Sequence, residues 1–254
     1  MVNKLWRACL RQIAPCECQF CGQPSQRDFP LCRDCESDLP ANHGCCPICA
    51  EPLTLSMQNP RPSNNLQAPP CGRCQQSSPP YHQALAPWLY RYPVDDLIKQ
   101  VKYQRRLDHL PTLAGLLQKD ITTSLEQHGR PDRLLPVPLH WRRLWQRGFN
   151  QAELLALQLA KDPELRPWQL RVDAQLCRRP QATPALEGLD RAERARCMRA
   201  AFTARRRIDG EYVVVVDDVM TSGSTASALT KVLLAQGASR VDVWCCARTA
   251  GLAY

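Results

Sequence analysis

The strongest hydrophobic signal in the chain is Val213-Val214-Val215-Val216, which gives way at once to Asp217-Asp218-Val219-Met220-Thr221-Ser222-Gly223-Ser224-Thr225. A short apolar run that turns polar predicts a buried strand ending where open α/β sheets place their ligands. Ala226 to Gln236 predicts a helix, Gly237 its stop, and Val241 to Ala247 a further strand covered on both faces. Cys245 and Cys246 in that strand read as buried apolar side chains. Upstream, Ala84 to Tyr92 is an extended apolar segment, and Val94 to Tyr103 a helix with Asp95 and Asp96 near its positive end. Leu97, Ile98 and Val101 form its apolar side, leaving Lys99, Lys102, Arg105 and Arg106 for solvent or an anion. Pro111 to about Lys119 predicts a second helix with proline in the tolerated first turn. Arg133 to Leu139 has strand-then-loop character, and Ala152 to Ala160 a helical period. Strands and helices joined by short connections predict a parallel α/β sheet with helices on both faces.

Before this region the pattern is set by cysteine. Eleven of the 15 cysteines precede residue 75, and eight form Cys-x-x-Cys pairs: Cys18/Cys21, Cys32/Cys35, Cys46/Cys49 and Cys71/Cys74. Two such pairs complete a tetrahedral Zn2+ site, so four predict one or two structural zincs with no open coordination position. Sequential pairing closes shorter loops than a cross-braced arrangement and is preferred. Cys16 and Cys45 sit beside ligand pairs and could substitute for a partner, while His43, also nearby, reads as a surface turn residue. A disulfide framework belongs to exported proteins, and a redox Cys-x-x-Cys occurs singly in a βαβ setting. Residues 52 to 80 carry seven prolines and little periodicity, so Ser56 to Pro70 reads as an exposed excursion. The expected division is a cysteine-rich module over 1–80 and an α/β domain over 81–254.

No continuous apolar core of a signal peptide follows the N-terminus, and no apolar stretch reaches the roughly 18 residues of a membrane span. The expectation is a soluble, cytoplasmic chain that is not an integral membrane protein. Leu5, Trp6 and Leu10 could form a short amphipathic helix, for which packing on the protein is preferred over lipid contact.

Charge narrows the choice of ligand. Residues 130–207 hold 17 of the 33 Lys/Arg but 8 of the 24 Asp/Glu, a net of +9 equal to that of the whole chain. Sixteen of those seventeen cations are arginines, whose planar fork suits phosphate. Such a field fits polyphosphate substrates or a nucleic-acid backbone.

At the acidic motif, neighbouring residues of an extended segment point to opposite sides, so Asp217 and Asp218 need not share one task. One can accept hydrogen bonds from vicinal hydroxyls while the other orients its neighbour or holds a metal-bound water. The hydroxyls and amides of Thr221 to Thr225, ahead of a helix N-terminus, can converge on a phosphate, and Gly223 permits close approach or positive φ. The plain alternative is an ordinary strand followed by a Ser/Thr-capped helix. Neither Gly-x-Gly-x-x-Gly nor the Gly-x-x-x-x-Gly-Lys-Ser/Thr loop is present.

Hydrophobic residues, two acids and Thr-Ser-Gly-Ser-Thr resemble the phosphoribosyl pyrophosphate signature of the type I phosphoribosyltransferase fold. The resemblance implies that Asp217 and Asp218 hold the ribose hydroxyls and Thr221, Ser222, Gly223, Ser224 and Thr225 the 5-phosphate. It also places Val137 and Pro138 in a strand-end loop against pyrophosphate, where Arg142, Arg143 and Arg147 could meet phosphate charge; their plain reading is a solvated basic face. Together with Leu-Ile-Lys-Gln-Val-Lys-Tyr at 97–103 and Pro-Val-Pro-Leu-His to Arg-Gly-Phe-Asn-Gln at 136–151, the chain resembles the ComF/GntX family over nearly its whole length. Residues 178–202 resemble that family's mobile loop, with Thr183, Pro184, Leu189, Arg191, Arg194, Arg196 and Phe202 matching and Leu186 and Cys197 departing from it. A basic amphipathic helix over 190–201 is the other reading.

The resemblance implies three functions. One is an accessory for DNA uptake, natural transformation or use of imported DNA, with single-stranded DNA and DNA-uptake helicase or processing proteins as partners. Trp141, Trp145 and Phe149 would then offer a modest stacking cluster. Another is a Mg2+-dependent phosphoribosyltransferase that joins a nucleobase to phosphoribosyl pyrophosphate. The third is a sensor of nucleotide or phosphate without turnover.

Overall fold

The computed structural model describes residues 16–27, 29–53, 69–180 and 201–250. The N-terminal helix, the excursion at Ser56 and the loop at 178–202 expected above fall wholly or mostly outside them. In chain order the elements are α1 (Arg33–Ser37), α2 (Gly72–Gln76), β1 (Ala84–Leu85), β2 (Trp88–Leu89), α3 (Val94–Gln104) and α4 (Leu110–His128). They continue with β3 (Arg133–Pro136), α5 (Trp141–Arg147), α6 (Gln151–Lys161), β4 (Cys177–Arg178), β5 (Thr203–Ala204), β6 (Tyr212–Met220), α7 (Ser224–Ala235) and β7 (Arg240–Arg248).

Five strands form one parallel sheet in the order β1-β7-β6-β3, with β2 also pairing to β7. Parallel pairing sets the C-terminal ends of β3, β6 and β7 on one edge, where Pro136 faces Val216 and Met220 faces Arg248. The valine run explains the layering. Val214 and Val216 pack with Leu97, Ile98, Leu113, Leu117 and Leu155 of α3, α4 and α6, while Val213 and Val215 pack with Leu229 and Leu233 of α7. All four valines are fully buried, each contributing roughly 1.5–3 kcal/mol of burial. Helices on both faces are thus the consequence of a strand apolar on both faces.

The cysteine-rich segment packs on this sheet. Phe29 and Leu31 join the core of the α3/α4/α6 side, whereas Cys46, Cys49, Cys71 and Cys74 join that of the α7 side. A methyl added to Gly115 of α4 would stand 2.5 Å from the Phe29 ring, so glycine is what admits that ring.

Several elements exceed their expected length. β6 runs on to Met220 because β7 pairs with it along its whole length, from Tyr212↔Arg240 to Met220↔Arg248. α4 continues to His128, nine residues past Lys119, since Ile121 and Leu125 keep its apolar face buried. α7 starts two residues early, at Ser224. The segment after His140 is helical: the His140 side chain accepts from the Arg142 amide at 3.3 Å, and Gly148 closes the helix at φ 84°. None of the residues of α5 is buried: its apolar positions Trp141, Leu144 and Trp145 are all exposed.

Candidate functional site

The extension of β6 puts the acidic pair inside the strand, with alternating sides as expected. Asp218 follows Val214 and Val216 toward the helices α3, α4 and α6; Asp217 follows Val213 and Val215 toward the other face. Asp217 accepts from the Asp218 amide at 2.9 Å and Asp218 from the Val219 amide at 3.0 Å, which holds both side chains against the backbone.

Lys102 of α3 completes this arrangement. Its Nζ lies 2.6 Å from Asp218 Oδ2, with the lysine side chain 17% and the aspartate 8% exposed. Burial works against the ammonium charge, yet the field of Asp218 and then Asp217 raises the lysine pKa. Asp217 behaves in the opposite sense for an acid. Burial first, and the negative charge of Asp218 second, push its pKa well above 3.8. Periodicity alone assigned Lys102 to solvent or an anion; the missed signal is its i+4 spacing from the buried Ile98.

Arg179 is the second residue that sequence reasoning passed over. It is buried, its guanidinium stands 5.5 Å over the Phe202 ring, and its pKa is lowered to about 10 by burial and Arg143, against the opposing pull of Asp217. It remains a cation at neutral pH and places positive charge near Asp217. The tandem Arg178-Arg179 was visible, but which of the two turns inward was decided by the β4–β5 pairing of Cys177 with Ala204 and Arg178 with Thr203.

The loop after β6 forms the mouth of the site. Gly223 takes φ +74° as the cap residue of α7, a left-handed conformation that favours glycine. A methyl there would also come within 3.2 Å of Tyr81 Oη. Ser222 Oγ and Ser224 Oγ are 2.7 Å apart, and Ser222 Oγ accepts from the Ser224 amide at 3.3 Å. The first turn of α7 therefore opens toward the same sheet edge as Asp217 and Asp218, with the amide-rich character of an anion site.

Val137 belongs to this edge: its amide donates to the Val216 carbonyl at 2.9 Å, and its carbonyl accepts from Asn150 Nδ2 at 3.0 Å. Pro138 follows it in the same connection to α5. Arg142 and Arg147 lie farther along α5 and are engaged by aromatics, Arg142 at 5.3 Å over Trp141 and Arg147 at 5.5 Å over Tyr103 of α3. Arg147 also donates to Gln151 Oε1 at 2.6 Å.

The eight paired cysteines form two groups, Cys18/Cys21/Cys32/Cys35 and Cys46/Cys49/Cys71/Cys74, each with every Sγ within 4.8 Å of the others. The grouping is sequential, and Cys16, Cys45 and His43 lie outside both groups. Cys21 and Cys32 Sγ are 3.7 Å apart, as are Cys49 and Cys71 Sγ. Tetrahedral ligands at 2.3 Å from zinc would be about 3.8 Å apart, so both donor sets fit the ion. Without metal, a hydrogen bond from Cys49 draws the Cys46 pKa down to about 4, while burial and the neighbouring thiols push Cys74 up to about 12. Cys245 and Cys246 are buried in the sheet as expected. Among the described residues no helix is long and apolar enough to cross a membrane.

Fold and site together define an α/β protein with a parallel sheet, an acidic strand end flanked by half-buried Lys102 and buried Arg179, and two N-terminal tetracysteine groups. No family model matches the chain. The DNA utilization protein YhgH of Escherichia coli O6:H1 is 36% identical over 239 residues, covering 91% of this chain and 96% of that protein. The YhgH protein of Salmonella typhi is 36% identical over 227 residues, covering 86% and 97%. Competence protein F of Haemophilus influenzae is 29% identical over 225 residues, covering 85% and 96%. The chain belongs to the ComF family.

Proposed function

We propose that the protein serves the uptake or use of external DNA in the cytoplasm and that its sheet edge binds a phosphorylated ribose, phosphoribosyl pyrophosphate or a nucleotide. The names of the relatives, DNA utilization protein and competence protein F, support the first part. The observation that carries the second is the juxtaposition of Asp217 and Asp218 with the Gly223 turn that opens α7. Carboxylates can accept hydrogen bonds from ribose hydroxyls, the turn can take the 5-phosphate, and Val137 and Pro138 can border a pyrophosphate. Mg2+ would arrive with the pyrophosphate and neutralise its charge. Lys102 already supplies the cation beside Asp218.

A second surface favours contact with single-stranded DNA. Trp141 and Trp145 are 63% and 83% exposed on a helix that buries no residue, and arginines lie beside them. Exposed aromatics with arginines offer bases a stacking platform and phosphates a counter-charge. Phe149, expected in the same cluster, is instead half-buried against the core.

Calorimetry with phosphoribosyl pyrophosphate and Mg2+ tests the site: wild type should bind, and Asp217→Asn with Asp218→Asn should abolish binding without unfolding. No wild-type heat at millimolar ligand would defeat the ribose reading. Single-strand affinity that is absent, or indifferent to salt, would defeat the DNA surface. Adding free nucleobases and measuring pyrophosphate release separates a transferase from a sensor.

A further inference from the structure

The edge that carries the phosphate turn is tied to the second tetracysteine group through one buried arginine. Arg248, the last residue of β7, is 1% exposed. Its Nε donates to the Cys49 carbonyl at 3.1 Å, Nη1 to the Met220 carbonyl at 2.9 Å and to the Thr221 carbonyl, and Nη2 pairs with Glu51. Glu51 receives a second cation from Arg73 Nη2 at 2.6 Å, and Arg73 lies between Cys71 and Cys74 in α2. The Glu51 carbonyl in turn accepts from the Cys46 amide at 2.8 Å. One guanidinium therefore bonds to both ends of a bridge, with a cysteine-bearing turn on one side and the two residues that lead into the phosphate turn on the other.

Hydrophobic packing does not require this. Val241 to Ala247 are all buried and, Asp242 apart, apolar, and an aliphatic residue at 248 would continue the strand without the cost of burying a charge. An arginine is suited because its planar fork meets several carbonyls and a carboxylate at fixed angles. Tyr81 reinforces the link: it packs in the same core as Cys46, Cys49, Cys71 and Cys74, and its hydroxyl borders Gly223.

We infer that Arg248 and Glu51 are positioning residues that make the order of the Met220–Ser224 turn depend on metal in the Cys46/Cys49/Cys71/Cys74 group, and not on the Cys18/Cys21/Cys32/Cys35 group. The metal fixes the turn holding Cys49 and Glu51, Glu51 fixes the guanidinium, and the guanidinium fixes two consecutive carbonyls of the turn. The functional consequence rests on the proposed ribose-phosphate site, but the bridge does not.

Hydrogen exchange on the full chain tests the bridge without any ligand. In Glu51→Gln and Arg248→Lys, amides of Met220–Ser224 should exchange about tenfold faster, the loss expected for charge-assisted bonds. Zinc content and exchange within β3 should stay as in wild type. Unchanged exchange in the turn overturns the inference, and so does a uniform rise that includes β3. Cadmium-substituted protein adds a reading by 113Cd NMR. Phosphoribosyl pyrophosphate should shift the resonance of the second group and leave that of the first in place, because coupling between sites is reciprocal; Glu51→Gln should suppress the shift. A shift of the first resonance alone overturns the inference. If wild type fails to bind the ligand, the ribose reading falls and exchange still decides the inference: Cys49→Ser should speed the Met220–Ser224 amides and Cys21→Ser should leave them as in wild type, and the reverse overturns it.

Discussion

Half-buried Lys102 and buried Asp218 form an ion pair, Nζ to Oδ2 at 2.6 Å, between the face of α3 and the C-terminal part of β6. It balances one of two adjacent carboxylates at the edge where a ligand would enter, and leaves Asp217 to respond to the charge beside it. The pair is in place without any ligand.

Removing the cation alone strands a buried carboxylate. Lys102→Met should cost about 3–5 kcal/mol in urea denaturation, the range for breaking a buried pair from one side. Adding Asp218→Asn should recover much of that loss. A single-substitution cost below about 1 kcal/mol would show that Asp218 is solvated and the pair incidental.

Asp217 makes stability depend on pH in a direction opposite to that of a salt-bridged carboxylate. Its folded pKa lies well above 3.8, raised by burial and by Asp218. Between the unfolded and folded values the native state binds more protons than the unfolded chain. Stability should therefore fall as pH rises through that window and level off above it. Asp217→Asn should flatten this component and raise the melting midpoint at neutral pH. Identical pH profiles for the two proteins, measured by calorimetry, would contradict it.

The tetracysteine groups should hold two zinc ions per chain, read by native mass spectrometry. Their loss should not be equivalent. Cys21 is exposed and Cys49 buried within the core under β7. Cys49→Ser should remove one zinc and lower the melting midpoint more than Cys21→Ser does. Equal effects, or no zinc in wild type, would count against the assignment.

Phe29 and Gly115 offer a test of how the first cysteine group is docked. Gly115→Ala forces a methyl into the ring, and overpacking of this kind costs about 1–3 kcal/mol. Phe29→Ala removes the ring and leaves a cavity. The double substitution should cost less than the sum of the two, because the methyl then occupies vacated space. Strict additivity would mean that the two residues do not meet.

Much of the fold was legible because it depends on local composition. Four valines at 213–216 can form only an element buried on both sides, and Cys-x-x-Cys spacing predicts metal groups by the reach of two thiolates from one turn. α5 was not legible: Trp141, Leu144 and Trp145 stand at helical spacing, but seven residues are too short a stretch for periodicity to define a helix, and all three are exposed; His140 and Gly148 cap it at either end. The C-terminal half of α4 was not legible because Thr122, Thr123 and Ser124 are weak helix formers, and only the packing of Ile121 and Leu125 on the core carries the helix through them.

The sequence by itself determined the chemistry available at the strand end: two acids, a glycine that can take positive φ, hydroxyls, and a helix to follow. Those are properties of residue type and order along one element. Only the tertiary structure decided the partners of these groups, because Lys102 is 116 residues from Asp218 in the chain, and Glu51 is 197 from Arg248. A charge is placed by which helix face packs on which strand, and by the register that sets Met220 beside Arg248. Such contacts follow from the burial of the apolar residues around them, and no pattern within a single element specifies them.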